Sequence, residues 1–274
     1  MMLSVVIPSR DGASLLRRYL PSVLGELSDL GEVVVVDDGS SDDTEEALRE
    51  LADSRLRRIR RRGENGFCYA VNRGMDEARG ELLLLLNNDV EPVPGCFGAL
   101  VEAGSRASGD IAAIVPEILR PNGRDEGGCV VRMRRGLPVT ALSGPGVPYP
   151  SGAASLFTAD SWRRLGGMSS RFAPIYWEDV DIGLRGLSMG LRVVRVPGAS
   201  VRHQHAATMG SSLASQALRE RNRMILAATS PVPGGWRASF RIWLPFHLIS
   251  ARLAGNRAFL MGYSQFRRRM EALS

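Results

Sequence analysis

Four short stretches of this sequence, and one pair of histidines, bring together side chains that can hold a cation or move a proton. Pro8-Ser9-Arg10-Asp11, Asp37-Asp38-Gly39-Ser40 and Asn87-Asn88-Asp89 each follow an apolar run. Taken singly, each is also a plain solvent-facing turn, because Asp, Asn, Gly and Ser form turns for local reasons. Three of them at one edge of one sheet point to a polar ligand. The fourth stretch, Trp177-Glu178-Asp179-Val180-Asp181, opens a helical segment beside Tyr176. Asp181 can simply favour the helix N-terminus there. Glu178 and Asp179, next to two large aromatics, suit a carboxylate whose basicity is raised by partial desolvation, as a general base requires. His203 and His205 stand two apart after a strand-like run, so an extended chain turns both rings to one side. They read either as a ligating or proton-handling couple or as a surface pair without a role.

Such groups need elements to carry them. Residues 3–8, 32–36, 56–60, 82–86 and 111–115 predict strands, and helical spacing of apolar residues marks 14–27, about 42–52, 67–78 and 93–103. The unbroken apolar run 82–86 fits a central strand covered on both faces. Repeated β-α-β order predicts an α/β fold, with a mostly parallel, Rossmann-like central sheet flanked by helices. Ligands of such sheets bind beyond the carboxyl ends of the strands. Residues 120–152 are rich in Gly, Pro and Arg, with one strand predicted at 129–133, which reads as a small antiparallel addition. Strands at 153–157 and 192–196 and helices at 160–165 and from Trp177 follow. A helical tail over 213–274 is predicted to break near 231–235 and at Pro245.

Composition narrows the chemistry. The 274 residues carry 35 basic and 29 acidic side chains, and every one of the 35 is arginine. Without lysine there is no Walker A phosphate lysine, no Schiff-base lysine and no kinase-type ATP lysine. No G-x-G-x-x-G follows any predicted strand, which disfavours a nicotinamide or flavin site. Cys68, Cys96 and Cys129 form neither a zinc-ligand spacing nor a disulfide framework, so a reducing cytoplasm is the expected compartment. Residues 1–8 read as a buried strand, not a signal peptide, and 243–249 falls far short of a bilayer span.

Val6-Ile7-Pro8-Ser9-Arg10-Asp11-Gly12, residues 33–41, Gly63-Glu64-Asn65-Gly66-Phe67 through Asn72-Arg73-Gly74, and residues 84–92 together resemble the nucleotide-diphosphate-sugar glycosyltransferases of family 2. Trp177-Glu178-Asp179-Val180-Asp181-Ile182-Gly183-Leu184-Arg185 and Val201-Arg202-His203 resemble later motifs of its rhamnosyltransferase-like and galactofuranosyltransferase-like subgroup. The resemblance runs over about residues 3–225. It implies the GT-A fold and an inverting transfer. Asp37 would contact the nucleotide base, with Pro8, Arg10, Asp11, Asn65 and Asn72 lining the donor pocket. The family's D-x-D appears as Asn87-Asn88-Asp89, so its first carboxylate is an asparagine and Asp89 is left as the main carboxylate on Mn²⁺ or Mg²⁺. His203, or else His205, would complete that ion's shell. Asp179 matches the catalytic base, and Glu178 would orient the acceptor. Arg219, Arg221 and Arg223 could reach the phosphates.

The implied organisation is a catalytic domain over 1–230, with a nucleotide-sugar half at 1–115 and an acceptor half at 116–230, followed by a helical extension over 231–274. The implied partners are a nucleotide-diphosphate sugar (dTDP-rhamnose or a UDP-sugar) and a glycan, glycolipid, lipid-linked or small-molecule acceptor. Two other readings compete. A nucleotidyltransferase would want a more basic, Gly-rich first loop, and a non-catalytic nucleotide-sugar-binding protein would explain the missing first aspartate. The arginines at 55, 57, 58, 60, 61 and 62 hint at nucleic acid, but no aromatics interleave them for stacking, so no nucleic-acid partner is expected. Phe240, Trp243, Phe246 and Leu248 alternate with Arg237, Arg241, Arg252 and Arg257, and Arg267 to Arg269 follow. That pattern suits an interfacial segment at the inner face of a membrane, or a helix pair packed on the core or in a homodimer.

Overall fold

The computed structural model describes residues 1–29, 31–205, 212–232 and 235–272. The first half runs β1 (Leu3–Ser9), α1 (Ala13–Glu26), β2 (Glu32–Asp37), α2 (Thr44–Glu50), β3 (Leu56–Arg60), α3 (Phe67–Glu77), β4 (Leu82–Leu86), β5 (Val90–Pro92), α4 (Cys96–Ser105) and β6 (Ile111–Leu119). The second half runs β7 (Val130–Arg134), β8 (Leu137–Ala141), β9 (Val147–Pro148), β10 (Ala154–Thr158), α5 (Ala159–Leu165), α6 (Glu178–Ser188), β11 (Arg192–His203), α7 (Leu213–Thr229), α8 (Trp236–Leu253) and α9 (Arg257–Glu271).

Eight strands make one sheet in the order β3-β2-β1-β4-β10-β6-β11-β5. The first four run parallel, β11 runs parallel to β6, and β10 is wedged antiparallel between β4 and β6. Alternating side chains of β1, β2 and β4 point to opposite faces. Val5, Ile7, Val33, Leu84 and Leu86 join Leu16 of α1 and Phe97 of α4 in one layer, whereas Val6, Val34, Leu83 and Leu85 join Val71 and Met75 of α3 in the other. Because β4 is buried on both sides, Leu→Ala within it should cost about 2–5 kcal/mol. Gly74 lets α3 lie this close: a Cβ there would fall 2.3 Å from a methyl of Val6.

A three-stranded antiparallel sheet, β8-β7-β9, occupies the region where one strand was expected. It shares a third core cluster with α6, α7, α8 and α9. The extension after residue 230 is therefore packed into the body, and β6, β10 and β11 place the expected acceptor half in the same sheet as the donor half. The expected break at Pro245 does not occur, since α8 runs through it. The carbonyl that Pro245 leaves without an N–H belongs to exposed Arg241, where water can take it. Of the other predicted break, residues 233 and 234 lie outside the described residues.

Candidate active site

The groups expected on the donor side stand where parallel strands end together, with Ser9 of β1 in register with Asp37 of β2. Asp37 is buried; its carboxylate accepts from the Ser40 N–H at 2.8 Å and from Arg58 at 3.0 Å. Burial alone would push its pKa up, but those donors outweigh it and hold the carboxyl below its ordinary value. Each carboxylate oxygen thus accepts a hydrogen bond inside the protein, at the strand end where Asp37 was expected to meet a nucleotide base. Its neighbour Asp38 pairs with Arg61 and accepts from the Gly66 N–H at 2.7 Å. This ties the β2 loop to the loop before α3. Asn65 of that loop accepts from Arg10 at 3.2 Å. Asp11 accepts from the Ser41 N–H at 2.7 Å, and that bond first, then the Ser41 hydroxyl, keeps it ionised below its usual range.

Arg10, Asp11, Asp38 and Asn65 therefore rim one end of the sheet, with Pro8 in the wall opposite Val36. Asn88 donates to the Ser9 hydroxyl at 2.9 Å, and Gly12 makes room, since a Cβ there would lie 2.5 Å from the Asn88 nitrogen. Asn72 does not join them. Its carboxamide bonds the Met168 N–H and C=O, each at 2.8 Å, and staples α3 to the loop after α5. The arginine run is also accounted for. Arg55, Arg57, Arg58, Arg60 and Arg61 each face a carboxylate, so most of the patch is neutralised locally.

Asp89 sits just before β5, which pairs antiparallel with the end of β11 and sets His203 opposite Val90. His203 Nε2 lies 3.3 Å from Asp89, and its Nδ1 lies 2.6 Å from Glu126. Glu126, which sequence reasoning missed, also meets His205 at 3.1 Å and Arg120 at 2.6 Å. The two imidazoles stack with centroids 4.0 Å apart. Burial would lower the His203 pKa, but Asp89 and Glu126 outweigh it and raise the imidazole to about 9. Glu126 is drawn down to about 2, since His203 and Arg120 overcome its burial. Ligating atoms of Glu126, His203 and His205 all lie within 4.8 Å of one another. Carboxylates and imidazoles at this spacing fit a divalent ion, and the mixed oxygen and nitrogen set suits Mn²⁺ at least as well as Mg²⁺.

The carboxylates expected on the acceptor side open α6. Tyr176 and Trp177 before them both have left-handed backbones, at φ 84° and 75°. For bulky residues this is strain of about 1–3 kcal/mol each, held only where the surroundings dictate it. Here α7 dictates it. Asn222 donates to the carbonyls of Phe172, Ile175 and Tyr176; Arg219 stacks on the Tyr176 ring at 4.5 Å; and the Trp177 indole donates to the Arg219 carbonyl. Arg221 donates to the Ala173 carbonyl and Arg223 to that of Pro138. All three arginines expected at the phosphates thus serve the fold. Asp181 is not a cap either: it pairs with Arg185 at 2.8 Å.

Glu178 is buried, and one of its oxygens has no hydrogen-bond partner among the described residues. Burial first, then the neighbouring Asp179 charge, pushes its pKa well above the ordinary carboxylate value. Burial also raises half-buried Asp179, which accepts from the Gly152 N–H at 3.4 Å. The next residue, Ala153, accepts from the Asn87 N–H at 2.9 Å. One dipeptide therefore links the Asn87-Asn88-Asp89 turn to the Glu178-Asp179 turn.

The comparisons agree with this geometry. Residues 4–127 match the model for glycosyl transferase family 2. An O-antigen biosynthesis protein of Myxococcus xanthus is 30% identical over 75% of this chain and 17% of its own length. An N-acetylglucosaminyl-diphospho-decaprenol L-rhamnosyltransferase of Mycobacterium tuberculosis is 26% identical, with 88% of each chain covered. The solved mannosyltransferase of Pyrobaculum calidifontis, in complex with GDP-Man and Mn²⁺, superposes with a TM-score of 0.62 at 20% identity over 96% of this chain and 73% of that one. The chain likewise spans only 25% of the length of a Sinorhizobium fredii relative, as it spans 17% of the Myxococcus protein. Strand order, carboxylate placement and these likenesses converge: residues 4–127 form a glycosyl transferase family 2 domain, and the chain has a GT-A fold.

Proposed function

We propose that this chain is an inverting glycosyltransferase that moves a sugar from a nucleotide-diphosphate sugar to an acceptor hydroxyl, with Mn²⁺ or Mg²⁺ bound. The observation that carries the reading is the Gly152–Ala153 bridge, which ties the turn that ends in Asp89 to the turn that carries Glu178 and Asp179. Asp89 and His203 would hold the ion, with Glu126 and His205 behind them. When bound, it would supply positive charge to offset the leaving diphosphate. Asp179, with its basicity raised by burial, takes the proton of the acceptor hydroxyl. Burial favours the protonated form of Glu178, which in that form would donate a hydrogen bond that orients the acceptor. Attack from the face opposite the diphosphate inverts the anomeric configuration.

Arg10, Asp11, Asp38, Asn65 and Asn88 would line the nucleotide end, and residues 1–115 would be the donor half. The relatives' names favour an envelope-glycan setting: one is an O-antigen biosynthesis protein and another acts on a diphospho-decaprenol acceptor. We accordingly favour dTDP-rhamnose or a UDP-sugar as donor and a lipid-linked glycan as acceptor. Calorimetry with a panel of UDP-, dTDP- and GDP-sugars, with and without Mn²⁺, tests the proposal. Metal-dependent binding of one of them is expected, and binding of none would sink it.

A further inference from the structure

Helix α8 is apolar on two opposite faces. Phe240, Leu244, Leu248 and Ala251 turn inward onto the third core cluster, against α7 and α9. Ile242, Phe246, Ile249 and Leu253, spaced four, three and four residues apart, form the other stripe. They are 63%, 60%, 56% and 85% exposed. Single exposed apolar residues are ordinary, but an aligned row of four large ones is a docking face. The pattern corrects the expected set, in which Phe240 and Leu248 were to face outward: helical phase turns those two into the core.

Charge identifies the occupant. From Trp236 to Met270 the sequence carries seven arginines and not one acidic residue. Arg241 and Arg252 are exposed along one flank of the stripe, and neither makes an ion pair among the described residues. On the other flank the β7–β8 turn packs against the helix. Arg135 lies over the Trp243 ring at 6.0 Å, and its carbonyl meets His247 at 2.7 Å. The exposed Arg132 and Arg134 extend that basic rim. No helix among the described residues is long and apolar enough to cross a membrane, so the face can only lie along one. We propose that α8, with the β7–β8 turn, docks the protein laterally on an anionic lipid surface, its stripe at the acyl boundary and its arginines among the headgroups. A protein partner with this stripe's polarity would need an acidic rim, and a second copy of this chain would bring a basic rim against a basic rim. The inference stands apart from the identity of donor and acceptor.

Flotation of the full chain tests it, using phosphatidylcholine vesicles with and without roughly one-third phosphatidylglycerol. The protein should float with the anionic vesicles at low salt, bind the neutral ones far less, and be released by high salt. Phe246→Ser with Ile249→Ser should weaken partitioning by about tenfold or more, and its thermal melting should match wild type because both residues are exposed. Arg241→Ser with Arg252→Ser should weaken binding only to the anionic vesicles. A chain that stays at the bottom overturns the proposal. If sedimentation then shows a dimer lost in the Phe246/Ile249 variant, a second copy covers the face instead. Undiminished flotation of both variants also overturns it, because lipid would then be met elsewhere.

Discussion

Asp37, Asp38 and Asp89 each lie against an arginine or a histidine, and Glu126 touches Arg120 and both His203 and His205. Glu178 and Asp179, across the Gly152–Ala153 bridge, make no ion pair among the described residues and sit in low-dielectric surroundings. On the side expected to take the donor, Asp37 and Glu126 are held in the ionised form. On the other side, Glu178 and Asp179 take up protons more readily than ordinary carboxylates. The difference separates two jobs that the same functional group can do: holding a cation needs permanent charge, whereas accepting a proton needs a charge that is costly to keep.

The largest test of that contrast exchanges one residue on each side. Asp89→Ala should abolish metal-dependent donor binding and transfer together. Asp179→Asn should leave donor affinity nearly intact while transfer falls by roughly 10²–10⁴-fold. Calorimetry and turnover on the same preparations read both. Normal turnover in Asp179→Asn would remove that residue from the chemistry. Next in size is Glu126→Gln, which keeps shape and removes the charge behind His203. Metal affinity should drop by about 10–100-fold with the fold intact, as loss of a ligand-orienting partner usually does. An unchanged metal titration would separate Glu126 from the site.

The contrast also has a pH signature. Transfer should decline on acidification at a pH above the ordinary carboxylate range, because Asp179 is protonated early. An acid limb of kcat/KM near pH 4 would break the assignment. Stability runs the opposite way. Glu178 binds its proton more tightly folded than unfolded, so its contribution is fully present below the unfolded value of about 4.3 and is lost as pH rises through the folded value. Glu178→Gln should therefore gain melting temperature relative to wild type between acid and neutral pH, and a parallel pair of Tm curves would refute this. The smallest functional effect belongs to Asn72→Ala. It should cost about 1–3 kcal/mol of stability by stranding the Met168 backbone, with donor affinity unchanged. A loss of donor affinity would return Asn72 to the pocket.

Most strands and the sheet-edge placement of the polar turns were legible because apolar runs and turn formers are local signals. The partners of those turns were not. Asp37 reads in sequence like any strand-end carboxylate, and only the neighbouring strand β3 supplies the Arg58 that commits it. Glu126 lies in a Gly-rich loop with no ligand spacing of its own, and reaches His203 across 77 residues through the pairing of Glu126 N–H with β6. Arg219, Arg221 and Arg223, spaced two residues apart, read in sequence as groups that could reach phosphates. Whether Arg221 and Arg223 reach outward or hold backbone carbonyls depends on which face α7 turns to the 172–177 turn.

The antiparallel insertion of β10 has a bearing on how substrates would be brought together. Ala153 is fastened to the end of β4, and Gly152 to the first turn of α6. In the proposed reaction, the gap between leaving group and incoming hydroxyl would be gauged by this one dipeptide just before β10, not by the swing of one lobe against another. Reaction geometry in such a protein is inherited from folding itself, and the freedom left for evolution lies in the loops that choose what fills the two ends of the gauge.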